Sequence, residues 1–125
     1  MQQTLLAFGL MLAAGLIGAA GAAVDVTDDQ GQNIRLAQPA RRIVSLAPHV
    51  TELLYAAGAG DKVVGVVQYS DYPEAAKKVA RVGGYTSVDM EKVVALKPDL
   101  VLAWKSGNRD AHLDKLRGLG IPVFI

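Results

Sequence analysis

The strongest constraint in this sequence is an alternation of short apolar strands and helical segments that begins near Arg41. The strand-like runs are rich in β-branched residues and carry no polar interruption, which is typical of parallel strands covered on both faces. The predicted strands are 43–46, 63–67, 81–83, 99–103 and 122–125, and the predicted helices are 50–57, 73–80, 89–96 and 110–119. The alternation indicates an α/β fold: a three-layer, Rossmann-like lobe with a mostly parallel sheet.

The predicted helices carry apolar residues at helical spacing. We expect Met90, Val93 and Val94 to point inward from one helix, and Leu113 and Leu116 from another. Glycines at 58 and at 118 or 120 are placed to end two of the helices. An antiparallel hairpin is predicted ahead of the alternating segment, over 24–36, because two short runs flank a polar turn that contains Gly31.

The first 24 residues carry no charged side chain. An apolar centre over 5–17 is followed by small residues over 19–23, which is the layout of a secretory signal. We therefore predict a signal peptide over 1–23 and a domain over 24–125; the alternative is an uncleaved membrane anchor, since the run is just long enough to span a bilayer. The chain also stops inside a predicted strand, so we expect a fragment of a longer protein, the alternative being a true terminus at an edge strand.

Composition excludes several classes of function. The formal net charge is +1, which provides no electrostatic footprint for nucleic acid. The chain has no cysteine, so a lipid-anchored lipoprotein, a thiolate metal site and a cysteine nucleophile are all excluded. The sequence contains no G-x-S-x-G elbow, no Walker loop and no G-x-G-x-x-G turn placed after a strand. No catalytic residue, metal site or intrinsic cofactor is therefore assigned.

The aromatic residues are unevenly placed. The chain has four tyrosines, two phenylalanines and one tryptophan, and four of these lie where a predicted strand leads into a helix: Tyr69, Tyr72, Tyr85 and Trp104. In an open parallel sheet, ligands bind outside the carboxyl ends of the strands. Tyr and Trp combine a flat apolar face with a hydrogen-bonding edge, which suits a wide ligand fringed with polar groups. The alternative is that some of these rings only cap the sheet.

Three polar residues have both a structural and a functional interpretation. His49 follows a strand exit and either packs at a helix N-terminus or serves as a base or metal ligand. Asp71 is either an Asx-turn residue or a general base, and a secreted enzyme that uses Asp71 or His49 remains an alternative. Glu91 either complements a helix dipole or offers an exposed acid to a basic partner. His112 is expected to be solvated.

Three segments resemble the N-terminal lobe of the periplasmic iron-siderophore and cobalamin-binding proteins of ABC importers. They are RIVSLAPHVTELLYAAGAGDKVVGV, QYSDYPEAAKKVARVGGYTSVDMEKVVALKPDLVLAW and LRGLGIPVFI, and the resemblance covers about residues 36–125. The Y-S-D-Y-P loop followed by W-K-S-G-N most resembles the cobalamin-binding members. The resemblance implies two α/β lobes joined by a long helix, with the ligand held between the lobes.

The resemblance also implies roles for individual residues. Tyr69 matches a tyrosine that contacts the corrinoid, Tyr85 falls where cobalamin-binding members can carry a tryptophan, and Trp104 matches the tryptophan that ends the DLV-x-A-W strand. Together with Pro48 and Tyr72, these residues form the expected ligand site. Ligand capture would serve an inner-membrane permease with its ATPase, and the full-length protein is expected to be a monomer in the periplasm.

Glu91 matches the acid that docks into an arginine pocket on the permease. An acid–arginine contact sets orientation and association rate more than affinity. The bridging helix and second lobe are missing from these 125 residues, so the chain as given is expected to bind poorly, because a good pocket buries most of its ligand.

Cobalamin or a related corrinoid is the expected ligand, with two alternatives in the same family. An anionic ferric siderophore would require several arginines at the rim, where only Lys105 and Arg109 are near. Haem is possible because a tyrosine can ligate its iron. A third class of function is a structural or dimerising fragment that uses its exposed sheet edge.

Overall fold

The computed structural model describes residues 22–125, which form a parallel sheet preceded by a hairpin. The strands are β1 (Val24–Thr27), β2 (Asn33–Leu36), β3 (Ile43–Ser45), β4 (Val63–Val66), β5 (Ala80–Arg81), β6 (Leu100–Leu102) and β7 (Val123–Phe124). The α-helices are α1 (Pro48–Ala56), α2 (Met90–Ala95) and α3 (Asp110–Gly118), and 3₁₀ turns cover Gly60–Lys62 and Glu74–Lys78. The signal peptide predicted over 1–23 lies almost wholly outside the described residues.

Strands β3 to β7 form one five-stranded sheet in the order β5-β4-β3-β6-β7, with every neighbouring pair parallel. The strand centres are apolar on both faces; Val44, Val66 and Val101 are fully buried. Helices α2 and α3 contribute Val93, Leu113 and Leu116 to the core against this sheet. The predicted α/β fold with a parallel sheet is confirmed.

The predicted hairpin is also confirmed, since β1 and β2 pair antiparallel. Its turn is tied to the far edge of the main sheet by Asp28, which is buried. One Asp28 carboxylate oxygen accepts hydrogen bonds from the backbone N–H groups of Gln30 and Gln32 at 2.9 Å, and the other accepts from Ile125 N–H at 3.2 Å. The Ile125 carbonyl in turn accepts from Asp29 N–H at 3.1 Å. The hairpin is therefore attached to β7 through its turn.

An exposed ion pair joins the two hairpin strands. Arg35 donates a hydrogen bond of 2.9 Å to Asp25, and these residues are directly opposite in the ladder. The hydrogen bond from the Arg35 guanidinium holds the pKa of Asp25 below its ordinary value.

The structure corrects four details of the predicted elements. The helix predicted over 73–80 is a 3₁₀ helix that covers only Glu74–Lys78. It ends there because Val79 is already extended and leads directly into β5. That strand covers Ala80–Arg81 and so begins one residue earlier than predicted. Val94 is 43% exposed, because α2 is only six residues long and turns a single side, centred on Val93, toward the core.

The fourth correction concerns His112, which was expected to be solvated. The side chain is half-buried, and its Nδ1 is buried without a hydrogen-bond partner among the described residues. The position is one turn before Leu116, so His112 lies on the same face of α3 as a core residue.

The glycine predictions are confirmed at Gly58 and Gly120, which follow α1 and α3 with φ of 82° and 78°. Within residues 22–125, no helix has the length and apolar character needed to cross a bilayer.

Candidate ligand-binding site

The loops that follow β3, β4, β5 and β6 lie at one edge of the sheet, because parallel strands present their carboxyl ends together. Four predicted side chains stand on these loops, and we call them the aromatic rim: Tyr69, Tyr72, Tyr85 and Trp104. Pro48, the fifth predicted residue, begins α1 beyond the end of β3 and is half-buried.

Tyr85 and Trp104 are in direct contact. Their ring centroids are 5.5 Å apart, with an angle of 52° between the ring planes. Their parent strands are not neighbours, since β4 and β3 lie between β5 and β6. The loop that carries Tyr85, closed by a bridge between Gly83 and Val88, therefore extends across the ends of two strands to reach Trp104.

Two further residues hold the indole of Trp104. The His49 ring packs against it at a centroid distance of 5.2 Å with the planes nearly perpendicular. Gly107 lies so close to the six-membered ring that a β-carbon at this position would be 2.0 Å from Trp104 Cε3. A glycine is thus needed at 107 for the indole to take this orientation. His49 packs at the helix N-terminus, as the structural interpretation predicted, and its packing partner is Trp104.

Tyr69 and Tyr72 are arranged differently from this pair. They are 76% and 70% exposed, and within residues 22–125 no ring stacking joins either of them to Tyr85 or Trp104. Tyr69 has a left-handed backbone, with φ of 67°, which turns the chain at the end of β4. The structure therefore places all four rings at one edge but brings only two into contact.

The loop that carries Tyr69 and Tyr72 is anchored by its polar residues. Arg81 donates one hydrogen bond of 2.9 Å to the Ser70 carbonyl and another of 3.0 Å to the Asp71 carboxylate. Asp71 is thus paired with a cation from β5, where the structural interpretation of the sequence predicted an Asx turn. The pairing fixes the segment between two exposed tyrosines.

A buried set of hydroxyl groups connects this loop to α1 and β3. Thr51 donates to Ser45 Oγ at 2.8 Å, and its hydroxyl lies 3.1 Å from Ser70 Oγ. Ser45 in turn donates to the Ala47 carbonyl at 3.0 Å. The network fixes the start of α1 and the residue next to Tyr69 in one arrangement. Sequence reasoning missed it because the only signal was a threonine on an apolar helix face.

Asn108 is a second residue that sequence reasoning missed. Its side chain is buried and bonds to main-chain atoms of three strand-exit loops, through Leu46, Tyr85 and Trp104. The only available signal was an amide in a glycine-containing turn immediately after a predicted strand. Its side chain links three of the loops that form the site through hydrogen bonds.

Cations near the aromatic rim are few. The Lys105 ammonium forms an ion pair with Asp110, and Arg109 is exposed at the start of α3. Within the described part of the chain, no group of three or more His, Asp or Glu side chains is placed to hold a metal ion. The edge therefore presents mainly aromatic surface with little net charge.

A cleft of about 550 Å³ adjoins the site on one side. It lies between α1, the hairpin turn and the ends of β6 and β7, with Leu53, Leu54 and Phe124 among its apolar walls. His49 and Trp104 form the border that it shares with the aromatic rim.

Glu91 lies in the first turn of α2. The carboxylate is exposed and forms no ion pair with any residue of 22–125. Asp89 caps the same helix by accepting a hydrogen bond from Lys92 N–H at 3.2 Å. The N-terminus is thus capped by Asp89, and the Glu91 carboxylate stands exposed in the same turn. A shallow groove of about 330 Å³ beside it is lined by Met90, Val94 and Lys115.

A profile of the family described as periplasmic binding protein matches residues 43–125. The chain belongs to the periplasmic binding protein family. A vitamin B12-binding protein of Yersinia pestis (strain Pestoides F) is 56% identical over 88 residues, which are 70% of this chain and 31% of that protein.

Solved structures of periplasmic binding proteins share the fold. The periplasmic vitamin B12-binding protein of Vibrio cholerae matches with 52% identity and a TM-score of 0.66 over 69% of this chain and 34% of that one. A periplasmic haem-binding protein from Roseiflexus sp. RS-1 matches with 34% identity and a TM-score of 0.65 over 68% of this chain and 33% of that one. The chain spans about a third of the length of these relatives.

Proposed function

We propose that this chain is the N-terminal lobe of a periplasmic solute-binding protein that captures cobalamin or a related corrinoid for import by an ABC transporter. The observation that carries the proposal is the contact between Tyr85 and Trp104 at the carboxyl edge of the sheet. The similarity to vitamin B12-binding proteins at 56% and 52% identity supports the choice of ligand.

The chemistry of the aromatic rim suits a corrinoid. A corrinoid is a broad macrocycle fringed with neutral amides, so its binding requires apolar contact area and scattered hydrogen bonds. The rings of Tyr69, Tyr72, Tyr85 and Trp104 supply that area, and their O–H and N–H groups reach the fringe. Pro48 extends the same surface at the start of α1. Anionic siderophores fit less well, because Lys105 is already paired with Asp110.

Haem is the second candidate. A solved haem-binding protein is 34% identical to this chain, and the phenol of an exposed tyrosine such as Tyr69 can ligate haem iron. A haem ligand would therefore depend on one tyrosine oxygen, whereas a corrinoid would depend on ring area from several residues.

The proposed protein is exported and works with a partner in the inner membrane. A signal peptide over 1–23 directs the protein to the periplasm, and residues 24–125 form one lobe of a two-lobed, monomeric binding protein. The protein is not an enzyme, and its ligand is cargo rather than a cofactor. Glu91 docks the loaded protein on an inner-membrane permease that works with an ATPase, because an unpaired acid is suited to an arginine on the partner.

The test uses protein purified from the periplasm of cells that express the intact gene. Calorimetric titration with cyanocobalamin, haemin and a ferric catecholate siderophore, each alone and then in competition, ranks the ligands. The proposal predicts tight binding of cyanocobalamin that neither of the others displaces at equal concentration. Tight siderophore binding without corrinoid binding would refute the proposal, and preferential haemin binding would favour the second candidate.

A further inference from the structure

Asn108 is 5% exposed, and every polar atom of its side chain forms a hydrogen bond at the edge of the sheet that carries the aromatic rim. Its Nδ2 donates to the Leu46 carbonyl at 2.9 Å and to the Tyr85 carbonyl at 2.8 Å. Its Oδ1 accepts from Trp104 N–H at 2.7 Å. One amide thus joins the ends of β3 and β6 to the loop that follows β5.

We infer that Asn108 is a positioning residue that sets the geometry of the Tyr85–Trp104 pair, an inference that rests on the proposed function of this pair in ligand binding. The two rings come from strands that are separated by two others, so the sheet ladder alone does not fix their contact. Asn108 is bonded to the main chain of both residues, which places the bases of the two side chains relative to each other.

Two reciprocal hydrogen bonds between Asn108 and the backbone of Trp104 close the loop that contains both residues. Asn108 N–H donates to the Trp104 carbonyl at 2.8 Å, while Trp104 N–H donates back to the Asn108 side chain. Gly107 lies against the indole within this closed turn. The backbone of Trp104 is therefore held at its N–H and at its carbonyl by the same residue, and Gly107 leaves room for the indole against this turn.

Only an amide side chain meets these demands, since it combines an acceptor with two donor hydrogens on one planar group. Aspartate at 108 keeps an acceptor for Trp104 N–H but turns a second acceptor toward the carbonyls of Leu46 and Tyr85. Alanine leaves all three main-chain groups without this partner. The two substitutions therefore distinguish the hydrogen bond of Asn108 to Trp104 from its hydrogen bond to Tyr85.

The first test needs no ligand. It is made on the 125-residue chain, in which Trp104 is the only tryptophan, so tryptophan fluorescence and its quenching by acrylamide report on this ring alone. We expect Asn108→Ala to increase quenching and to accelerate hydrogen exchange at the Trp104 amide by about tenfold or more. Asn108→Asp should keep the Trp104 amide protected while near-ultraviolet circular dichroism from the ring pair decreases. Val93→Ala, which opens the core at α2, serves as a control with reduced stability and unchanged Trp104 signals.

The second test measures binding by the protein from the intact gene. If wild type binds cyanocobalamin, we expect both Asn108 variants to bind about tenfold more weakly while Val93→Ala binds as wild type does. Equal binding by Asn108→Ala and wild type would overturn the inference and leave the proposed function standing. If wild type itself binds no corrinoid, the proposed function fails, and the ligand-free signals still decide whether Asn108 positions the pair. Unchanged fluorescence and exchange in Asn108→Ala would overturn that as well.

Discussion

Gly107 lies directly against the indole of Trp104, at a distance that no side chain at 107 would allow. The contact comes from a turn of five residues that closes on itself between Trp104 and Asn108. Under the proposed function, a ring held in this way is already oriented before a ligand arrives, which would lower the conformational cost of binding.

Gly107→Ala tests this contact. The new β-carbon would lie 2.0 Å from Trp104 Cε3, so either the ring or the turn must move. We expect a loss of about 1–3 kcal/mol in the free energy of unfolding, together with a shifted tryptophan emission maximum. Gly118→Ala is the matched control, because no atom lies within 4 Å of the added carbon, and it should be neutral or stabilising. An unaltered emission spectrum in Gly107→Ala would contradict the described packing.

Thr51→Val tests the buried hydroxyl network. Valine keeps the shape of threonine but removes the hydroxyl that contacts Ser45 and Ser70, both buried. We expect urea denaturation to show a loss of about 1–3 kcal/mol, because Ser70 Oγ loses its partner. The same substitution at the exposed Thr27 should change stability by less than about 0.5 kcal/mol. Equal effects at the two positions would show that the network contributes nothing.

The Asp25–Arg35 pair predicts a small dependence of stability on acid pH. Arg35 lowers the pKa of Asp25 below 3.8 in the folded state, so the contribution is present above that pH and is lost as the pH falls through the lowered value. Arg35→Gln should move the Asp25 titration, followed by NMR at its carboxyl carbon, back toward 3.8. A titration midpoint that does not move on substitution would show that the ion pair does not form in solution.

Glu91→Gln tests the proposed permease contact. We expect cobalamin binding to be unchanged, while association with the permease in proteoliposomes slows by about tenfold, because a surface charge acts mainly on encounter. Glu52→Gln, at an exposed glutamate on α1, should leave both cobalamin binding and the rate of association with the permease unaltered. Identical association rates for the two variants would remove Glu91 from the docking surface.

The architecture was predictable because its signals are local. Uninterrupted runs such as Val63–Val66 indicate buried parallel strands, and Gly58 and Gly120 mark helix ends with the left-handed backbone that favours glycine. The helix predicted over 73–80 is a shorter 3₁₀ helix, Glu74–Lys78, and composition did not reveal this because it does not show that the next residues pair with β4. The ends of helices and strands depend on tertiary pairing, whereas the type of each element follows from its local sequence.

The site was only partly predictable. The positions of the four rings at strand exits follow from the order of elements, whereas the contact of Tyr85 with Trp104 depends on a loop that crosses two strands. The turn sequence around Asn108 indicates at most a local contact, because two of its partners are main-chain atoms 62 and 23 residues away along the chain. Local patterns cannot indicate such long-range hydrogen bonds.

The most direct test of the account is the affinity of the protein from the intact gene for cyanocobalamin after removal of single rings. We predict that Tyr85→Ala and Trp104→Ala each raise the Kd by about tenfold or more, because aromatic anchors dominate binding surfaces. Tyr55→Ala, which removes a ring that packs on Gly60 away from the rim, should leave the Kd unchanged. Wild-type affinity in both rim variants would contradict the central claim that this pair forms the ligand-binding surface.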